Sequence, residues 1–167
     1  MQKKNIILIG MPATGKTTQG RMLAARLKYD FIDTDDVIRE QNGCELSDII
    51  RKEGLDGFKQ REEDAICSVN CERTVIATGG SAIYSDRAMQ HLRSIGRIVY
   101  LAVDYDTIAR RIGDPKKRGV AIADGMTLRD LYDERTPLYQ QYADVVVLEY
   151  GKESTAQSAN RLYAILR

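Results

Sequence analysis

The chain has 167 residues, of which 43% are hydrophobic, so it is long enough for one buried core but too short for two ordinary domains. Its 25 lysine and arginine residues nearly balance 24 aspartate and glutamate residues, which gives a net charge of +1 and argues against a nucleic-acid or membrane partner. We therefore expect a single domain over residues 1–167 that acts as a monomer on a small-molecule substrate.

The first four residues lead directly into a predicted strand, without the apolar core of a signal peptide. No apolar run reaches the length of a membrane helix, and we therefore expect a cytoplasmic protein. Cys44, Cys67 and Cys71 are odd in number and lack a Cys-x-x-Cys pair or a nearby histidine. We interpret them as reduced thiols and not as a zinc site.

The first predicted strand, Asn5–Ile9, is followed at once by a complete Gly-x-x-x-x-Gly-Lys-[Ser/Thr] loop. The glycines allow the backbone N–H groups to surround a phosphate, and the following helix adds its positive end. Lys16 can reach the β- and γ-phosphates, while the hydroxyl of Thr17 suits Mg²⁺. The predicted nucleotide-binding residues of this loop are Gly10, Met11, Pro12, Ala13, Thr14, Gly15, Lys16, Thr17 and Thr18.

Two carboxylates follow the second predicted strand, residues 29–33. Acidic side chains at the carboxyl end of a strand lie beside the phosphate loop in an open α/β sheet. Asp33 and Asp35 can then divide two tasks, because one carboxylate binds the hydrated Mg²⁺ while the other accepts a hydrogen bond from an acceptor hydroxyl. An ordinary acidic helix start accounts for the same residues, and their pattern alone leaves both interpretations open.

The rest of the chain alternates between predicted helices and strands. Ser47 is predicted to cap a short helix that Gly54 ends, and Pro137 is predicted to begin a new segment after the helix at 128–135. We predict strands at 74–77, 97–103 and 145–148, and helices at 37–41, 48–52, 57–70, 86–95, 106–112, 128–135 and after Ser154. This alternation predicts an α/β fold, a three-layer sandwich around a five-stranded parallel sheet.

Two breaker-rich segments are candidate ligand contacts. The third strand ends in Thr78-Gly79-Gly80-Ser81, where the two glycines allow a ligand to approach the backbone closely. Residues 113–119 are basic and contain two glycines and a proline, and we predict a mobile lid over about 113–126.

Taken together, the motifs resemble the shikimate kinases, which are P-loop NTPases related in fold to the nucleoside monophosphate kinases. The resemblance extends from Ile7 to about Val147. It rests on the phosphate loop with Thr18 and Gly20, on Phe31-x-Asp33-x-Asp35, Phe58-x-x-x-Glu62, Ala77-Thr78-Gly79-Gly80 and Arg118, and on Arg135-x-Pro137-Leu138-Tyr139.

The resemblance implies ATP-dependent, Mg²⁺-assisted phosphorylation of shikimate to shikimate 3-phosphate. It implies that Asp33, with Thr17, serves Mg²⁺. Within an acceptor-binding segment at about 34–62, it gives Asp35 the acceptor hydroxyls. It also implies that the lid residue Arg118 reaches the transferring phosphate and that Arg111 lies beside adenine. The implied catalytic residues are Lys16, Asp35 and Arg118, and the implied substrate-binding residues are Asp35, Lys59, Gly79, Gly80, Ser81 and Arg135, with Arg135 on the carboxylate.

Three positions depart from the family pattern on the acceptor or lid side. Lys59 replaces an arginine, Ser81 replaces a third glycine, and Gly119 replaces a proline. Lysine keeps the charge but loses the bidentate fork of arginine. Two alternatives to shikimate phosphorylation therefore stay open at this point, namely a kinase of the same build for another small hydroxy acid and a nucleotide-binding regulatory protein without catalysis.

Overall fold

The computed structural model describes residues 4–167. The prediction that the chain begins without a signal-peptide core falls partly on residues 1–3, which lie outside the described residues. The strands are β1 (Asn5–Ile9), β2 (Asp30–Asp33), β3 (Thr74–Ala77), β4 (Gly96–Val103) and β5 (Val145–Glu149). The helices are α1 (Lys16–Leu27), α2 (Thr34–Asn42), α3 (Leu46–Ser68), α4 (Asp86–Ile95), α5 (Tyr105–Ile112), α6 (Leu128–Tyr142) and α7 (Thr155–Leu166). Among the described residues, no helix has the length and apolar character of a membrane span.

All five strands are parallel and form one sheet in the order β2-β3-β1-β4-β5. Alternate residues of β1 point to opposite sides of the sheet. Ile7 and Ile9 pack in a buried cluster with residues from α3, α4, α5 and α6. Ile6 and Leu8 pack on the other side with residues from α1 and α7. Helices thus cover both faces, and the predicted three-layer α/β fold is confirmed.

The strand order brings three chain segments to one edge of the sheet. β3 lies between β1 and β2, with Leu8 and Asp33 both paired to Ala77. The loop after β1, the acidic segment after β2 and the glycine turn after β3 therefore leave the sheet side by side. The carboxyl ends of parallel strands are where ligands bind in open α/β sheets.

Two predicted helix starts differ from the structure. Helix α2 begins at Thr34, three positions before its predicted start, because the Asp33 carboxylate caps it by accepting the backbone N–H of Asp35. Helix α3 begins at Leu46, so Ser47 lies inside the helix and its predicted capping role is wrong. The predicted interruption at Gly54 is present as a kink, with a φ of 75° and a ψ of −177°.

The predicted break at Pro137 is wrong, because α6 continues through that residue to Tyr142. A proline inside a helix removes one backbone hydrogen bond. The fully buried Tyr139 lies beyond the proline, so packing against the core stabilises the continuation of the helix. A capping box begins α6, where the side chains of Thr127 and Asp130 each accept a hydrogen bond from the other's backbone N–H.

Candidate active site

The phosphate loop has a backbone that only glycine can form at its first position. Gly10 has a φ of 151°, and a Cβ atom there would lie 2.8 Å from the backbone oxygen of Leu101. Gly15 has a φ of 92° and directly precedes helix α1. The loop therefore curls tightly between β1 and the helix N-terminus, which is the arrangement that surrounds a phosphate group.

The side chain of Lys16 is folded into this loop and is only 7% exposed. Its ammonium group donates hydrogen bonds to the backbone oxygens of Gly10, at 2.9 Å, and Met11, at 2.7 Å. Burial lowers the pKa of Lys16 to about 8, and the nearby Asp35 carboxylate opposes this shift. The buried cation is thus at the place where a bound phosphate would supply stronger, charged hydrogen-bond acceptors.

Asp33 and Thr17 form a pair of oxygen ligands beside the loop. The Thr17 hydroxyl donates to Asp33 Oδ2 at 2.7 Å, while Asp33 Oδ1 accepts the backbone N–H of Asp35 at 2.9 Å. Asp33 therefore caps helix α2 and faces the phosphate loop at once, so the two interpretations of this carboxylate are compatible. Residues 4–167 contain no cluster of three or more metal-ligating side chains.

Asp35 lies deeper in the same site. Burial, together with the neighbouring Asp33 carboxylate, raises the pKa of its carboxyl group to about 6. A Cβ atom at Gly79 would lie 3.0 Å from Asp35 Oδ1 and 2.6 Å from Glu62 Oε2. The absence of a side chain at Gly79 thus lets two carboxylates approach the same point of the backbone.

Glu62 lies in the site, although the sequence motifs predict no role for it. It is 2% exposed, and its Oε1 accepts the hydroxyl of Ser81 at 2.7 Å. Burial raises the pKa of its carboxyl group to about 7, although the Ser81 hydrogen bond opposes this shift. The sequence spacing does indicate that Glu62 is buried, because Phe58 and Glu62 are four residues apart on α3 and therefore lie on the same face of that helix.

Arg135 lies at the acceptor end of the site with 1% of its surface exposed. Its Nη2 donates to the backbone oxygen of Ala121 at 2.9 Å, and its Nε donates to the Tyr84 hydroxyl at 3.3 Å. A Cβ atom at Gly80 would lie 2.8 Å from Arg135 Nη1. The predicted glycine turn is therefore needed for the guanidinium group to reach the cavity.

Lys59 is not brought together with Arg135 in the main cavity. Its ammonium group lies 4.3 Å from the centre of the Tyr84 ring, and the Arg135 guanidinium lies 5.4 Å from the same ring centre. Lys59 borders a separate cavity of about 150 Å³, together with Glu62 and Ser81. Both cations thus lie near the Tyr84 ring, but of the two only Arg135 lines the main cavity.

Most other predicted site residues line one cavity of about 320 Å³. It joins the phosphate loop, both aspartates, the glycine turn, Arg118 in the lid and Arg135. Its predicted lining residues are Pro12, Ala13, Gly15, Lys16, Thr17, Thr18, Asp33, Asp35, Gly79, Gly80, Ser81, Arg118 and Arg135. Leu46, Phe58, Glu62, Thr78, Val120 and Ala121 line it as well, without having been predicted as site residues.

A second cavity of about 260 Å³ lies on the other side of the phosphate loop. Arg111 borders it and donates a hydrogen bond to the backbone oxygen of Ala13 at 3.2 Å. Thr14 and Gln19 line the same cavity. The phosphate loop thus lies between two cavities. Each cavity has room for a molecule, one on either side of a phosphate group bound by the loop.

The predicted lid has neither a helix nor a strand over 113–126. Turns shape it, and one of them is closed by a hydrogen bond from the Val120 N–H to the Pro115 oxygen at 3.0 Å. Gly119 has a φ of 71°, which a proline at this position could not adopt. The exposed Arg118 borders the main cavity from this lid.

Comparison with known proteins gives one consistent result. The family described as shikimate kinase matches residues 12–167. The shikimate kinase of Francisella tularensis subsp. novicida (strain U112) is 40% identical over 155 residues, which is 90% of this chain and 88% of that protein. The structure of the shikimate kinase from Acinetobacter baumannii in complex with shikimate superposes with a TM-score of 0.86 at 32% identity, covering 98% of this chain and 92% of that one. For the shikimate kinase from Aquifex aeolicus vf5 the TM-score is 0.83 at 26% identity, with 97% and 95% of the two chains covered.

Proposed function

Because the chain belongs to the shikimate kinase family, we propose that it transfers the γ-phosphoryl group of ATP to a hydroxyl group of shikimate, forming shikimate 3-phosphate. The observation that supports this most is the convergence of Lys16, Asp35 and Arg135 on one cavity. A phosphate-binding cation, a hydroxyl-binding carboxylate and a carboxylate-binding guanidinium are the three groups that this reaction needs.

On the donor side, the chain supplies positive charge around the phosphates. Lys16 exchanges its bonds to the loop oxygens for the β- and γ-phosphates, and Arg118 approaches the transferring phosphoryl group from the lid. Arg111, beside the loop and the second cavity, takes the nucleoside side. Phosphoryl transfer is catalysed mainly by positioning and by neutralising charge, so these cations account for much of the expected rate enhancement.

The oxygen pair of Thr17 and Asp33 fits Mg²⁺. This ion usually binds one or two protein oxygens and completes its shell with water and substrate phosphates, so a larger cluster of acidic ligands is not required. When bound, Mg²⁺ neutralises negative charge on the phosphates. The 2.7 Å hydrogen bond between Thr17 and Asp33 supports the assignment, because it places both oxygens together beside the loop.

On the acceptor side, Arg135 and Asp35 fix the two ends of the molecule. The planar guanidinium of Arg135 suits the shikimate carboxylate because it can donate two parallel hydrogen bonds. Asp35 accepts a hydrogen bond from the reacting hydroxyl and can take its proton, since a pKa of about 6 leaves it mostly ionised at neutral pH. Gly79 and Gly80 keep the space between the two groups free of side chains.

The test is ADP release by the purified protein with ATP, Mg²⁺ and a panel of shikimate, other hydroxy acids, sugars and amino-acid alcohols. We expect saturable ADP release with shikimate and only background release with the rest of the panel. A hydroxy acid other than shikimate that gives the higher kcat/KM would overturn the substrate assignment. A Mg²⁺ titration of Asp33→Asn tests the metal assignment, since we expect a higher Mg²⁺ requirement.

A further inference from the structure

Buried polar atoms without a hydrogen-bond partner are concentrated on the nucleoside side of the phosphate loop. Within residues 4–167, four buried side-chain nitrogen or oxygen atoms lack a partner, and three of them are Gln19 Oε1, Glu149 Oε1 and Arg161 Nε. The fourth belongs to Glu62 in the main cavity. Buried polar atoms in native proteins nearly always have a partner, so this concentration points to a ligand that supplies one.

The carboxylate of Glu149 is fixed at one of its two oxygens. Glu149 ends β5 and is 8% exposed. Arg161 Nη2, on α7, lies 3.6 Å from Glu149 Oε2 and donates a hydrogen bond to Glu153 at 2.9 Å. Burial raises the pKa of the Glu149 carboxyl group, while the Arg161 guanidinium and the Gln19 amide oppose this shift. The guanidinium thus holds Oε2, and Oε1 stays available as an acceptor.

The two unpartnered oxygens belong to residues that lie close to the phosphate loop. Gln19 and Glu149 both border the second cavity, of about 260 Å³. Gln19 is 4% exposed, and its Nε2 lies 3.3 Å from the point where a Cβ atom of Gly15 would be. A nucleotide whose phosphates occupy the loop has its ribose directly next to its α-phosphate. The two acceptors therefore lie nearer to the ribose of such a nucleotide than to its base.

The chemistry of the two oxygens selects the group that they bind. Carboxylate and amide oxygens accept hydrogen bonds, so the ligand has to supply donors. A phosphate group does not fit, because it is an acceptor and a carboxylate would repel it. The 2′- and 3′-hydroxyl groups of ribose are two neighbouring donors, and acidic side chains bind ribose hydroxyls in dinucleotide-binding folds as well.

We infer that Glu149 Oε1 accepts a hydrogen bond from one ribose hydroxyl of the bound nucleotide and that Gln19 Oε1 accepts one from the other. Both are then specificity-determining residues that favour ribonucleotides over deoxyribonucleotides, and Arg161 is a positioning residue for Glu149. This inference rests on the proposed function, since it takes ATP as the phosphoryl donor.

The experiment measures the dissociation constants of ADP, 2′-deoxy-ADP and 3′-deoxy-ADP by isothermal titration calorimetry in the presence of Mg²⁺. A hydrogen bond to a charged group corresponds to roughly a 10- to 100-fold difference in affinity, and a neutral one to roughly a 2- to 10-fold difference. We therefore expect the wild type to bind one deoxy analogue about 10- to 100-fold more weakly than ADP. The other analogue should bind about 2- to 10-fold more weakly than ADP.

Each acceptor has its own variant. Glu149→Gln keeps the volume of the side chain and an acceptor oxygen but removes the charge, so the larger ratio should fall to about 2- to 10-fold. Gln19→Met keeps the length of the side chain but removes the oxygen, so the smaller ratio should fall towards one. Glu72→Gln is the matched control and should keep both ratios, because it changes an exposed carboxylate that borders neither cavity. Circular dichroism checks that each variant is folded.

The positioning role of Arg161 has a separate test. Arg161→Gln should lower the larger ratio and leave the smaller one unchanged, because Glu149 loses its guanidinium partner while Gln19 keeps its place. Arg161→Lys keeps the positive charge and should restore the larger ratio in part. A purely structural role of Arg161 would change both ratios alike.

The outcomes separate this inference from the proposed function. If the wild type binds ADP and both analogues equally well, buried water and not ribose satisfies the two oxygens, and the inference is overturned while the proposed function stands. Full wild-type discrimination in both Glu149→Gln and Gln19→Met overturns it too. If the wild type does not bind ADP at all, the proposed function fails and the inference fails with it.

Discussion

The guanidinium group of Arg135 donates a hydrogen bond of 2.9 Å to the backbone oxygen of Ala121. Arg135 lies in helix α6, whereas Ala121 lies in the lid, so the residue proposed to bind the acceptor carboxylate also holds the lid. The Nε of the same guanidinium donates to the Tyr84 hydroxyl. A planar fork of five donors can serve both partners at once, which the compact ammonium of a lysine cannot do in the same geometry.

The first prediction follows from this contact. Arg135→Lys should make amide hydrogen exchange across 119–122 several times faster in the unliganded protein, because the lid loses its hydrogen bond to α6. In the wild type, a non-hydrolysable ATP analogue should slow exchange across 116–120 as Arg118 approaches the phosphates. Hydrogen exchange measured by mass spectrometry tests both points. Lid exchange that changes neither with the variant nor with nucleotide would contradict them.

The second prediction concerns Lys16 in the phosphate loop. Lys16→Ala should lower turnover by about 10²–10³-fold or more, because it removes a charge that stabilises the transition state. The fold should persist, since burial of the charged form is unfavourable and lowers the pKa of Lys16. Lys117→Ala, an exposed neighbour of Arg118 in the lid, is the control and should keep its activity. Steady-state ADP release and thermal unfolding of both variants provide the measurements.

The third prediction revises the role expected for Lys59. Its ammonium group packs on Tyr84 outside the main cavity, so Lys59→Arg should change KM for shikimate by no more than about twofold. Arg135→Lys is the comparison, and loss of a charged hydrogen bond there should raise KM by roughly 10- to 100-fold. A tenfold improvement of KM in Lys59→Arg would instead indicate that residue 59 binds the acceptor directly.

The fourth prediction is a pH dependence of stability that comes from Glu62. Its pKa rises from 4.5 in the unfolded chain to about 7 in the folded protein, chiefly because of burial. The folded state then binds the proton more tightly, so the contribution of Glu62 is most favourable below pH 4.5 and is lost as the pH rises to about 7. The loss amounts to about 3 kcal/mol in the free energy of unfolding.

Urea unfolding from pH 5 to pH 8 tests this dependence. Ser81, Asp35, Arg135 and Lys59 also act on the charge of Glu62, so the wild-type profile alone does not isolate this group. The difference between the wild type and Glu62→Gln does, and we expect the glutamine variant to lose less stability over this pH range. Asp64→Asn should follow the wild-type profile, and parallel profiles for all three proteins would contradict the prediction.

The features that the sequence predicts best are those that depend only on residues close together in the chain. The phosphate loop is fixed by backbone geometry within eight positions, and the capping box of Thr127 and Asp130 lies within a single helical turn. The strands were located because short β-branched runs alternate with helical spacing. Local rules mislead at Pro137, where the buried packing of Tyr139 outweighs the loss of one helical hydrogen bond.

Features of the site that depend on distant residues could not be read from the sequence. The ammonium group of Lys59 packs on the ring of Tyr84, which lies 25 positions away in the sequence and contacts Arg135 as well. The Ser81 hydroxyl donates a hydrogen bond to Glu62, which lies on helix α3. The spacing of residues in the sequence does not reveal this partner, so Ser81 was predicted to bind the substrate. Side-chain pairing between elements follows from the tertiary fold, whereas motif spacing reports only which segments reach the site.

The proposed reaction phosphorylates shikimate in the main cavity, with Asp35 acting on the acceptor hydroxyl. Phosphorus NMR of wild-type protein with ATP, Mg²⁺ and shikimate tests it most directly, with Asp35→Asn in parallel. We predict a new phosphomonoester signal at the 3-hydroxyl together with ADP for the wild type. For Asp35→Asn we predict a rate lower by about 10²–10⁴-fold with nucleotide binding largely retained. Absence of the phosphomonoester with the wild type would rule out shikimate phosphorylation, and its formation at an undiminished rate by Asp35→Asn would rule out the role proposed for Asp35.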